Sequence, residues 1–165
     1  MALGLTPPGV VVTLLNDLGY IWPDADEVRL TQLGQAWLDL QTTLQGHLAD
    51  ADRAASAVWT HNTGKDIAAF QSFWLQSGGA IDTLAKDVTG VAVVGAVVLV
   101  ASAVVLALKI WVIAQLVILA IAVAQAIATA PLTFGASLLE IPVFKEIAGR
   151  ILNLAISRAV AVLLG

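Results

Sequence analysis

The apolar positions change character along the chain. From Leu30 they recur every three or four residues, at Leu30, Leu33, Trp37, Leu40, Leu44, Leu48, Ala51, Ala55 and Val58. A repeat averaging about 3.5 residues marks a helix that packs lengthwise against another helix. Ahead of it, Asp24-Ala25-Asp26-Glu27 has the form of a capping box. The Asp24 carboxylate accepts an orphan amide of the first turn while Glu27 reaches back, and both acids suit the positive end of the helix dipole. Asp24 and Glu27 are therefore the expected cap residues. The turn formers of Thr60-His61-Asn62-Thr63-Gly64 end this helix, and Thr63 with Asp66 can cap the next.

The second helix shows Ile67, Phe70 and Trp74, breaks step at Ser77-Gly78-Gly79, and resumes with Ile81, Leu84 and Val88. The pattern predicts an antiparallel helical hairpin over residues 24–87. Leu33, Trp37, Leu40 and Leu44 would meet Ile67, Phe70 and Trp74 along its interface, with the double glycine as a kink or a short loop. Residues 1–23 read as an N-terminal arm. Thr6-Pro7-Pro8-Gly9 is a stiff turn, residues 10–18 form a short helix stopped by Gly19, and Trp22-Pro23 is extended.

Past residue 88 the alternation disappears. Between 88 and 139 the only charged residue is Lys109. As one helix, residues 88–130 would be about 64 Å long, roughly twice the 30 Å hydrocarbon core of a bilayer. A single long buried helix and a kinked double span both fit, although Lys109-Ile110-Trp111 offers no turn chemistry. Pro131, Gly135 and Pro142 then punctuate the chain, and residues 143–164 read as a last amphipathic helix. The expected fold is all-α: a long hairpin, then strongly apolar helices in a region 88–165, closing on an amphipathic helix.

Composition sharpens this division. Residues are 59% hydrophobic and only 12% charged, which argues against a free-standing soluble enzyme. The net charge is −4. Residues 1–87 hold ten acids against four bases, net −6, and residues 88–165 hold two against four, net +2. No basic surface is left to track phosphates, so no nucleic-acid partner is expected. Without cysteine there is no disulfide, thiolate zinc site or Cys nucleophile.

Candidate chemistry is sparse. His47 and His61 are too far apart for a ligand pair on one helix face. Asp24, Asp26 and Glu27 lack the spacing of a calcium loop. No catalytic grouping and no phosphate loop is present, so the expectation is a non-enzymatic protein without metal or cofactor. Lys109 is the sharpest oddity. At bilayer depth it must snorkel, pair or face a polar lumen, and otherwise it marks a helix surface that reaches water. Ser102 lies seven residues earlier on its helical face. Gln115 and Gln125 share a stripe with Trp111 and Thr129, which favours interhelical hydrogen bonding over a channel lining. Lys109, Gln115 and Gln125 are the membrane or lumen candidates.

The segment from Val58 through Trp59 and Asn62 to Gly64, followed by Ile67, Phe70 and Trp74, resembles the WXG-like N-terminal domains of actinobacterial polymorphic toxins. Trp22-Pro23-Asp24 and Ile141-Pro142-Val143-Phe144 extend the resemblance over residues 22–156. It implies type VII secretion: export without a cleaved leader of helical hairpins that pair into bundles, often ahead of a toxin domain. Trp59, Asn62 and Gly64 would hold the hairpin turn, with four residues rather than one between Trp59 and Gly64. The family's Tyr-x-x-x-acid export signal after the second helix is missing, because the only tyrosine is Tyr20.

Two readings follow. One is a secreted or envelope-associated delivery module with a helical secretion partner or a second copy, the export machinery and a lipid membrane as partners. The other is a constitutive integral membrane protein or channel domain.

Overall fold

The computed structural model describes residues 4–164, and among them every regular element is helical. The elements are α1 (Gly9–Asp17), α2 (Glu27–His61), α3 (Lys65–Trp74), α4 (Ala80–Thr129), a 3₁₀ turn (Ala136–Glu140) and α5 (Ile141–Leu164). The all-α expectation holds. Gly19, at φ +83°, follows α1 in the left-handed conformation that suits glycine. Pro142 is the second residue of α5, where its missing amide leaves no helical bond unmade. The double glycine proves to be a short loop that separates α3 from α4. Asp82 accepts from Lys86 at 2.7 Å and from the Gly78 amide at 2.7 Å. The Lys86 hydrogen bond and then the Gly78 amide hold its carboxyl below the ordinary range.

Packing divides the chain into two units, residues 30–100 and residues 4–29 with 101–164. The change of composition at residue 88 falls inside α4, which runs through it unbroken. That continuity settles the question of a kinked double span, since α4 has no turn at Lys109.

In the unit of residues 30–100, two glycines let helix backbones meet. A Cβ on Gly34 would lie 2.7 Å from the Leu99 side chain and 3.0 Å from the Gly95 carbonyl oxygen. One on Gly95 would lie 2.9 Å from Leu38 and 3.1 Å from the Gly34 oxygen. Further along, Trp59, Phe70 and Trp74 form a tilted aromatic ladder with centroids 5.9 and 5.8 Å apart. Trp74 Nε1 donates to Asp52 at 2.8 Å. The far end of α2 thus meets α3, while residues 34 and 38 meet α4. This corrects the expected pairing of Leu33, Trp37 and Leu44 with Ile67, Phe70 and Trp74. At ten residues α3 is about 15 Å long and cannot reach that part of α2. Within the chain Leu33 and Leu40 are exposed, Trp37 and Leu44 half-buried.

The other unit has an apolar core. Val11 and Leu15 of α1 sit among Val112, Leu116 and Leu119 of α4 and Ala148 and Leu152 of α5. Each large aliphatic side chain buried in this way contributes about 1.5–3 kcal/mol. Tyr20 joins the margin of this core, its hydroxyl donating to the Gly149 carbonyl at 3.1 Å. Beyond α4, Ser137 Oγ donates to the Ala126 carbonyl at 2.7 Å, which ties the 3₁₀ turn back to the helix.

Little of the apolar surface is covered. Ala80–Thr129 and Ala136–Leu164 are long and apolar enough to cross a membrane, and 11% of the most apolar window in each is buried. The alternative of one long buried helix is therefore corrected: α4 is continuous but mostly uncovered.

Candidate functional site

The helix start of α2 is built differently from a capping box. Asp26 Oδ1 accepts from the amides of Val28 at 3.1 Å and Arg29 at 3.0 Å, so Asp26 is the cap. Asp24 is exposed. Glu27 does not reach back to a cap, because its carboxylate has stronger partners elsewhere.

Those partners include Lys109. Its ammonium donates to Glu27 Oε2 at 2.7 Å and to the Ala25 carbonyl at 2.6 Å. It lies 5.8 Å from the centre of the Trp22 ring. The Leu5 amide donates to the second carboxylate oxygen of Glu27. One heptad back along α4, Ser102 Oγ donates to the Glu27 carbonyl at 2.7 Å. Glu27 is 4% exposed, Lys109 3% and Ser102 5%. The reading of Lys109 as a water-reaching surface is corrected, because the side chain is enclosed with its counter-charge.

Electrostatics follow from this enclosure. Burial pushes the Glu27 carboxyl up, and the hydrogen bonds from Lys109, from Leu5 and from its own backbone, with the ammonium charge, outweigh it. The net effect holds the group below its ordinary value of 4.5. A buried ion pair contributes little against an apolar substitute, but removal of one member leaves an uncompensated charge. The pair with Ser102 therefore acts as a polar lock that fixes the first turn of α2 on the apolar part of α4.

The remaining predicted residues are scattered. Trp59 is in the last turn of α2, and Gly64, at φ +138°, precedes α3. Asn62 Nδ2 donates to the Val58 carbonyl at 2.8 Å and Thr60 Oγ1 to Ser56 at 2.7 Å, which closes the end of α2 with side chains. The Thr63 cap is corrected, since Gly64 is the cap of α3 and no side chain bonds there. Ile67, Phe70 and Trp74 are half-buried. Gln115 is half-buried beside α5, and Gln125 is exposed. His47 is exposed, while His61 Nδ1 lies 2.9 Å from the Ala57 carbonyl.

Sequence reasoning missed the Gly34 and Gly95 contact, the Asp26 cap and the pairing of Glu27 with Lys109. The spacing of Ser102 and Lys109 was the available signal for the last. Both side chains do meet the same turn of α2.

The sequence model of the WXG100-like domain matches residues 7–151, and the chain belongs to that family. No curated protein and no solved structure matches the chain significantly. WXG100-like domains are associated with type VII secretion and with helical partners or oligomers. The chain is thus a helical protein related to type VII secretion.

Proposed function

We propose that this chain is the non-enzymatic export and delivery module of a type VII-secreted toxin or effector, and that its apolar half transfers from helix packing into lipid. The carrying observation is the state of α4 past residue 88: Lys109, its only charged residue there, is enclosed with Glu27 while apolar side chains such as Val117, Ile118 and Ile121 are exposed. Apolar helix surface is satisfied about equally by other helices and by lipid tails. A lysine at bilayer depth costs at least about 2.5–3.5 kcal/mol, so Lys109 opposes transfer unless it keeps its counter-charge or snorkels. Exposed Leu33 and Leu40 on α2 offer a strip for a helical secretion partner or a second copy.

Liposome flotation with dye release tests this reading. Wild type floats with liposomes, and Lys109→Leu floats more and releases more dye, with the overall helical signal retained in circular dichroism. If wild type and variant both stay in solution at every lipid composition, the membrane part of the proposal falls.

The second reading, a constitutive integral membrane protein, is favoured by the small buried share of both long apolar segments. Carbonate extraction of cell membranes separates the two. An integral protein stays with the lipid of the cell that makes it, and a delivery module that has not yet transferred into lipid is recovered there in the soluble fraction.

A further inference from the structure

In the unit that holds the lock, α4 and α5 are covered by α1 on one side through the core described above. Along the pair runs an open furrow made of two hollows that share Ile151. The larger, about 340 Å³, is lined by residues including Leu108, Trp111, Ala155 and Arg158. The smaller, about 130 Å³, continues past Gln115 to Phe144. On α5, Phe144 and Arg158 are fourteen residues apart, about 21 Å of helix.

Two features of this furrow point to a ligand. Its walls are apolar except for Gln115 and Arg158. Among the described residues Arg158 makes no hydrogen bond or ion pair; six of the other seven lysines and arginines have acidic partners, and Lys65, which has none, lies at the start of α3, in the other packing unit. A guanidinium without a counter-charge at the wide end of an apolar furrow is complementary to an anion that carries a long apolar tail. The taper towards Phe144 suits one flexible chain.

We infer that the furrow binds a long-chain fatty acid, with the carboxylate on Arg158 and the acyl chain laid past Trp111 towards Phe144. This site is independent of bilayer insertion, because it takes a single amphiphile from solution.

Trp111 provides the readout. Titration of the whole chain with brominated stearic acid, below its micellar concentration, quenches Trp111 fluorescence in a saturable way. Trp111→Phe removes the saturable part. Arg158→Gln and the methyl ester of the same acid each weaken binding roughly tenfold, the loss expected for one hydrogen-bonded charge. Arg158 is exposed, so its substitution leaves the fold intact, which circular dichroism verifies. Equal quenching by the acid and its ester, or by wild type and Arg158→Gln, overturns the assignment. So does quenching confined to vesicles of brominated phosphatidylglycerol, which would make the furrow bilayer-facing surface.

Discussion

The two packing units are held by different means. Residues 30–100 are held by shape: two glycines bring backbones together, and an aromatic ladder closes the far end. Residues 4–29 and 101–164 combine an aliphatic core with one enclosed ion pair. The comparison shows where specificity comes from in a chain so poor in charge. Apolar helix surface packs in many registers at similar free energy, so something else must select one. In one unit that is the exclusion of a Cβ, and in the other it is a charge that has only one acceptable place.

The largest effect should come from breaking the lock. Lys109→Leu leaves Glu27 enclosed without its cation and is expected to destabilise by about 3–5 kcal/mol. Native-state hydrogen exchange should show the loss in residues 101–164 and leave amides around Trp59 protected. The double variant Glu27→Leu with Lys109→Leu should recover most of it, because the apolar pair leaves no charge behind. If single and double variants lose equally, the pair is packing rather than a lock.

Leu116→Ala should come next, at about 2–4 kcal/mol, since the side chain is fully enclosed between α1 and α5 and its removal leaves a cavity. Urea denaturation followed by circular dichroism checks it. A loss below that of an exposed position such as Ile118→Ala would mean that α1 does not hold its place.

Acid separates the units more gently. The Glu27 carboxyl is held below its ordinary value of 4.5, so its contribution is fully present above that pH and is lost as the pH falls through the folded value. Stability of the wild-type core should therefore fall below about pH 4.5. Glu27→Gln should flatten this part of the profile, with Asp82 adding a component of the same sign. A profile unchanged by Glu27→Gln would remove Glu27 as its source.

How much of this was legible in the sequence follows the same division. The helices and the turn at Gly64 announce themselves locally, through period and turn formers, whereas the double glycine announces a break without deciding between a kink and a loop. The pairing of Lys109 with Glu27 crosses 82 residues, and the spacing of Ser102 and Lys109 marks only its α4 side, not the partner. The cap was misread because Asp24 and Asp26 are chemically alike and only the destination of Glu27 decides between them. Leu33 and Leu40 fit the apolar period but are exposed, because Gly34 and Leu38 occupy the contact face. A hydrophobic period gives a stripe, and a glycine that permits closer approach rotates the helix away from its centre.

That rotation supplies the smallest and most discriminating test, a pair of identical substitutions on one helix. Gly34→Ala places a methyl 2.7 Å from Leu99 and 3.0 Å from a carbonyl oxygen. Overpacking of this kind costs about 1–3 kcal/mol, against about 1 kcal/mol gained in helix propensity. A net loss of up to about 2 kcal/mol is expected. Gly46→Ala, twelve residues on in α2, meets nothing within 4 Å and keeps only the propensity gain, so it should stabilise by up to about 1 kcal/mol. Opposite signs in urea denaturation would locate the contact between α2 and α4 at Gly34. Stabilisation by both would mean that the helices stand further apart and that the exposed Leu33 stripe is free to form the interface its period suggests.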